Sequence, residues 1–374
     1  MPRLWPYPVR QPIEEVLEWR TDVLAARAAE QRIALRPAPR EILSYTHVLD
    51  AAGIARATEL ARAGLTDSWL VPLWSMTMRP GVDLADTDTV IPMDTGLGDW
   101  RGPGHGIVAI DGGEAHTIEI AEVFPDRLEL ASPVGIAVSK ALVAPVRTGQ
   151  LTAPVEVTRR RQGLGTVTAT FTLTDAASAG TSPYPGHQGL DVVTEPTVLR
   201  QPLSESMART VDIVDNGFGP LVIEPVRDHL QRRSSLTLVD HGPTARWTRR
   251  QWLMSLRGRQ RAFWLPTWGR ELVLQAPVAA SDTSMAVAPI ADLTAYVGRH
   301  VMVDLPAGPV FREITGAVFD ALGYRLEIAA PGVAVPLGTP VHFLTKVRLD
   351  ADRVELEHSA TRTEMSVTVI EVPG

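Results

Sequence analysis

The sequence predicts a mainly β fold: two tandem homologous β-barrel or β-sandwich modules, each with one short α-helix. Three observations predict it. Two stretches of the chain are collinear, diverged copies of one pattern. Short runs of alternating apolar and polar residues are separated by Pro- and Gly-rich turns. Each copy also holds a single stretch with helical spacing.

The copies are found by their offsets. Arg10-Gln11-Pro12-Ile13-Glu14-Glu15-Val16-Leu17 returns as Arg200-Gln201-Pro202-Leu203-Ser204-Glu205-Ser206-Met207, an offset of 190 that also places Asp22 on Asp212. Trp69-Leu70-Val71-Pro72-Leu73-Trp74 matches Phe263-Trp264-Leu265-Pro266-Thr267-Trp268 at 194, with Gly64 on Gly258 and Thr87-Asp88-Thr89 on Ser281-Asp282-Thr283. Arg127-Leu128-Glu129-Leu130 matches Arg325-Leu326-Glu327-Ile328 at 198. Val155-Glu156-Val157 meets Val354-Glu355-Leu356 at 199, and the strand Thr166–Leu173 meets Met365–Val372 at the same offset. Chance matches would scatter, whereas these keep their order. The expected division is residues 1–175, a Gly/Pro/Ser-rich linker at 176–199, and residues 200–374.

Within the first copy, Leu17, Trp19, Thr21 and Val23 alternate with Glu18, Arg20 and Asp22, the pattern of one half-buried strand. Gln31–Leu35 and Glu41–His47 read as further strands around the Pro37-Ala38-Pro39 break. A helix is expected from about Asp50 to Ala63, with Ile54, Ala57, Leu60 and Ala61 on one face and Gly64 as its C-terminal glycine. In the second copy Thr248–Arg257 takes that part. Asp88 and Asp282 supply turn chemistry. Thr117–Glu122 with Arg127–Leu130, and Phe311–Val318 with Tyr324–Ile328, read as hairpins.

The chain of 374 residues carries a net charge of −7, which argues against a nucleic-acid binder with a basic footprint. With no cysteine, disulfides and thiolate metal sites are excluded. No apolar run approaches the roughly 18 residues of a membrane span, and the N-terminus lacks a secretory apolar stretch, so no membrane anchor is expected. The histidines at 47, 105, 116, 187, 229, 241, 300, 342 and 358 stand singly and give no zinc motif. No G-x-S-x-G elbow or phosphate-binding loop occurs. Asp83–Asp88 lacks the glycine and glutamate of a calcium loop, and its counterpart Pro277–Asp282 loses two of three carboxylates. The glycine-rich run Gly96–Gly106 leads into an apolar strand instead of a helix N-terminus, and so reads as a flexible loop. No catalytic residue, cofactor or metal is expected. Trp69, Trp74, Trp264 and Trp268 fit either core and subunit interface or a carbohydrate-stacking platform.

Trp19-Arg20-Thr21-Asp22-Val23, followed by Glu30-Gln31-Arg32-Ile33-Ala34-Leu35-Arg36-Pro37-Ala38-Pro39-Arg40, resembles a motif of tail-tip and baseplate proteins of long-tailed bacteriophages, including distal-tail-like proteins and those of gene transfer agents. Phe263–Trp268 and Asp212–Gly217 resemble that group too; Ala28 departs from it, standing where the pattern has glycine. The resemblance implies a structural protein of the virion tail tip, assembled in the host cytoplasm, with tail-tube, hub or fibre proteins as partners. Two equivalent modules per chain would let three chains place six modules around a ring through which DNA passes, joining a six-fold tube to a three-fold tip. A homotrimer is the favoured stoichiometry and a homohexamer the other. Arg32, Arg36 and Arg40 fit either pairing with Asp22 and Glu30 across neighbouring strands or subunits, or an exposed charged face. The reading from a different class is a carbohydrate-binding tail adhesin using the tryptophans.

Overall fold

A computed structural model describes residues 2–64, 66–110, 113–161, 163–196, 205–227, 230–321 and 323–372. The Arg200–Ser204 part of the repeated lead-in, residues 197–199 of the linker and His229 lie outside the described residues.

The first half runs β1 (Arg3–Leu4), β2 (Arg10–Glu18), β3 (Thr21–Ala25), β4 (Glu30–Ala34), β5 (Arg40–Asp50), α1 (Ala51–Ala63), β6 (Trp69–Pro72) and β7 (Val90–Pro92). It continues through β8 (Gly104–Ala109), β9 (Ala115–Phe124), β10 (Arg127–Leu130), β11 (Leu142–Leu151), β12 (Glu156–Arg161) and β13 (Leu164–Leu173). A small ladder, β14 (Gly186–His187) with β15 (Leu190–Asp191), follows. The second half holds β16 (Glu205–Ala208), β17 (Val211–Val214), β18 (Val222–Pro225), β19 (Gln231–His241), α2 (Gly242–Leu256), β20 (Phe263–Pro266) and β21 (Ser284–Val287). It ends with β22 (His300–Val303), β23 (Val310–Asp320), β24 (Gly323–Ile328), β25 (Val341–Leu349), β26 (Arg353–His358) and β27 (Arg362–Glu371).

The pairing scheme recurs. β13 lies between β5 and β12, and β27 between β19 and β26. β11 pairs with β6, β8 and β13, and β25 with β20, β22 and β27. The meander β8–β9–β10–β7 has its counterpart in β22–β23–β24–β21.

These pairings correct the expected β-barrel modules: among the described residues the molecule is mainly β with two short helices, and no sheet closes. Followed strand to strand, the ladders form a branched tree with no ring. A barrel needs every strand paired on both sides. Here β11 forks instead. Val146 sits between Pro72 and His105, and Gly149 between Trp69 and Leu173, so β8 and β13 share the flank opposite β6 and diverge. Each half therefore has one apolar cluster under its helix and another under its meander, with a smaller third beside them.

Alternation explains the strands. On β5 Leu43, Tyr45, His47 and Leu49 face in, and on β13 Val167, Ala169, Phe171 and Leu173 do. The Asp50 carboxylate caps α1 by accepting the Gly53 N–H at 2.7 Å. The Asp88 and Asp282 carboxylates each accept a backbone N–H three residues back, from Ala85 and Ala279, both at 2.7 Å.

Several expectations shift in detail. The single strand expected through Leu17–Val23 breaks between β2 and β3, because Trp19 N–H and Thr21 N–H turn aside to the carbonyl and carboxylate of Asp352. α2 begins at Gly242, well before Thr248, since Pro243 in the first turn is compatible with a helix. Gly64 has φ −116° and is no left-handed cap; an added Cβ would lie 2.4 Å from the Trp69 ring. The final strands match at 198, not 199: Val167 pairs with His47 where Met365 pairs with Leu238. A one-residue slip would turn every side chain to the wrong face.

One path through the tree crosses the whole molecule. β12, β13, β5, β2, β26, β27, β19 and β16 lie side by side, antiparallel throughout, with β2 pairing β5 on one flank and β26 on the other.

Candidate functional site: the junction between the halves

β2 places Ile13, Glu15 and Leu17 on its inward face, and β5 places Glu41 beside Leu43 and Tyr45. Glu15 and Glu41 are thus carboxylates on an apolar phase, each 2% exposed. α2, from the other half, answers them with Arg250. Its Nε donates to Glu15 at 2.9 Å and its Nη2 donates to Glu41. His358 on β26 closes the far side, Nε2 to Glu15 at 2.9 Å and Nδ1 to Thr363 Oγ1 at 2.8 Å.

The network continues into the first half. Arg147 on β11 reaches Glu41 at 3.4 Å, Asp99 at 2.5 Å and Asp175 at 2.7 Å, and donates to the carbonyls of Asp175 and Ala176. Ser178 donates to Asp99 at 2.8 Å, and Arg101 joins Asp99 to Asp175. The first residues of the linker are therefore pinned to the junction. Arg246 of α2 bridges to the Ser75 carbonyl and to Thr363.

Burial raises the pKa of each carboxylate here, and the arginines decide the outcome. At Glu15 the charge of Arg250 and the hydrogen bonds from His358 and Arg250 outweigh burial and bring the pKa down to about 2. At Asp99, Arg147 and Arg250 likewise win over burial and lower it. At Glu41 burial prevails over Arg250 and Arg147, helped by the neighbouring charges of Glu15 and Asp99, and the pKa goes up. Glu15, Glu41, Asp99 and Asp175 are each paired with a guanidinium inside the fold, so the network locks surfaces together. Among the described residues no group of three or more His, Asp or Glu could hold a metal ion. No helix among the described residues is long and apolar enough to cross a membrane.

An outer layer repeats the theme. Glu30 takes a bidentate pair from Arg348 at 2.7 and 2.9 Å. Asp352 accepts from Thr21 N at 2.6 Å, and Arg259 donates to the Thr21 carbonyl at 2.6 Å. The β3–β4 hairpin of the first half is thereby bound to the second.

The residues singled out from sequence are dispersed. Trp19 is buried in the second half's core beside Leu17 and Leu356. Glu30 is brought to the junction, whereas Asp22 is exposed on the hairpin. Arg32 lies 3.6 Å from Glu30, but Arg36 and Arg40 turn to Glu18, at 3.5 and 3.4 Å. Ala28 sits in a turn closed by Ala26 N–H to the Ala29 carbonyl, with no left-handed residue. Trp69 and Trp264 are buried in separate clusters and form no common stacking surface. Trp74 lines a groove with Arg246 at the junction, and Trp268 lines another with Glu205 and Arg232. Asp99, from the run expected to be a flexible loop, is 4% exposed in the Arg147 network.

The sequence assigns no site role to Glu15, Glu41, Asp99, Arg147 or Arg250, and marks His358 only as one of nine histidines standing singly. The signal was there for three: Glu15 and Glu41 break the apolar phase of their strands, and Arg250 adjoins the apolar face of α2 carrying Trp252, Leu253 and Leu256. Comparison with protein-family models finds no match, and comparison with curated proteins finds none either.

Proposed function

We propose that the chain is a structural component of a phage tail tip or baseplate, forming a ring around the DNA channel and joining a six-fold tail tube to a three-fold tip. The observation that carries this reading is the twice-used pairing scheme, with the two halves fused edge to edge through β2 rather than tethered by the linker. Two diverged units in fixed relation present alternating surfaces around a ring, so a trimer offers six similar faces to a tube and three distinct ones to a hub or fibre. The buried arginine–carboxylate network supports a structural role over catalysis. The net charge of −7 suits a wall past which a polyanion slides without being held.

Mass spectrometry of purified particles tests the reading. The protein is expected in the tail-tip fraction at a copy number divisible by three; its absence from particles overturns the proposal. The adhesin reading is weakened because Trp69 and Trp264 keep their faces inside the fold, which leaves Trp74 and Trp268 in separate grooves.

A further inference from the structure

We infer that copies of this chain join head to tail by strand addition, the free edge of β16 in one copy pairing with the free edge of β12 in the next. The inference rests on the ring reading for its setting and names the surfaces that would build the ring.

The eight-stranded path carries the argument. Its order, β12-β13-β5-β2 then β26-β27-β19-β16, is one four-strand series used twice. The internal seam joins the last strand of one series, β2, to the first of the other, β26. Among the described residues, β12 pairs only with β13 and β16 only with β19, so the two outer edges are the counterparts of the two strands already joined. A second copy brings the same edges together.

The register follows. Glu15 pairs with Leu43 and Glu205 with Ser234, which fixes β16 on β2 at 190; Thr158 pairs with Thr166 and Glu357 with Glu364, which fixes β12 on β26 at 199. The internal pairs Glu15–Leu356, Val16–Glu355 and Leu17–Val354 then become Glu205–Val157, Ser206–Glu156 and Met207–Val155 between copies.

Burial and charge agree with that register. Leu17, Val354 and Leu356 are 0%, 1% and 2% exposed, whereas their counterparts are Met207 at 59% and the half-buried Val155 and Val157. The free edges keep the apolar residues that the seam buries. His358, which bonds Glu15 at the seam, has Arg159 as its counterpart, so a second cation would approach Glu205, which already accepts from Arg232 at 2.5 Å. Beyond β16 the β17–β18 hairpin stands clear, with every residue from Glu205 to Val226 exposed and Phe218 at 86%. Its first-half counterpart, β3–β4, is fastened over the seam by Asp352 and Arg348. The second hairpin is therefore placed to lie over the next copy's β11–β12 turn. A contact between unlike edges is heterologous and closes into a ring or runs on as a filament, according to its rotation.

The chain has no cysteine, so introduced thiols report without background. Ser206→Cys with Glu156→Cys, both exposed and directly opposed in this register, should oxidise to covalent multimers that reductant dissolves. Mixed single variants should give covalent dimers only. Oligomers by sedimentation without these cross-links overturn the strand addition and leave the ring reading standing. Monomers without cross-links at every concentration overturn both, and a covalent ladder that never closes supports the pairing while counting against a ring. Met207→Asp, exposed in the single chain and so expected to keep its far-UV spectrum, should raise the concentration needed for assembly at least about tenfold by burying a charge. Unchanged assembly of that variant overturns the inference.

Discussion

Arg250 is the side chain on which the junction depends. It comes from one half and neutralises two buried carboxylates of the other. Arg250→Ala should therefore lose about 3–5 kcal/mol in denaturant unfolding, since it strands charges inside the fold. Arg250→Met combined with Glu15→Leu and Glu41→Leu should recover most of that loss, because removing the whole network costs far less than breaking it. His47 gives a separate handle. Its Nε2 accepts from Trp5 at 2.8 Å and its Nδ1 donates to the Pro8 carbonyl at 2.9 Å, an arrangement that needs the neutral ring. Burial lowers its pKa to about 4, against a weaker upward pull from the Pro8 carbonyl. The fold thus favours the uncharged form, and its contribution, about 3 kcal/mol, is complete above about pH 6.5 and lost as pH falls towards 4. Glu15, depressed to about 2, adds a loss below about pH 4. Unfolding free energy measured from pH 7 to 4 should decline in the parent protein and decline less in His47→Gln, where burial of His187, His300 and His342 still lowers their pKa values. An equal decline in both would refute the assignment.

At the scale of elements, Gly64 and the second hairpin make opposite predictions. Gly64→Ala drives a methyl into Trp69 and should destabilise by about 1–3 kcal/mol. The amides of β17 and β18 should exchange quickly in dilute protein and slowly once copies associate, while those of β5 and β13 stay protected in both. Hydrogen exchange at two concentrations checks this, and concentration-independent protection of β17–β18 would contradict it. Much of this level was legible, because period-2 alternation and Asp turns are local: β10 and β24 lie close to where the pattern put them, and α1 ends at Ala63 as expected. What was hidden is non-local. Nothing near Trp19 announces that Asp352 will break its strand, and nothing near β11 shows that it forks and leaves the sheet open instead of closed. The junction was half visible, through carboxylates out of phase on β2 and β5; its partners Arg147 and Asp99 come from segments whose approach only the topology sets.

At the scale of the whole molecule, the seam at β2 is the feature that organises the rest. It joins two similar halves into one continuous sheet path and, among the described residues, leaves the two edges that match it unpaired. A protein so built is suited to repeat the seam from copy to copy, and the tail-tip reading supplies a reason to do so. Cryo-electron microscopy of the purified, assembled protein tests that claim most directly. The expected result is a ring of three chains in which six similar units alternate, β16 of each chain lies against β12 of the next, and the lumen admits duplex DNA. Particles containing single chains, or rings whose chains meet elsewhere than at β12 and β16, would contradict it.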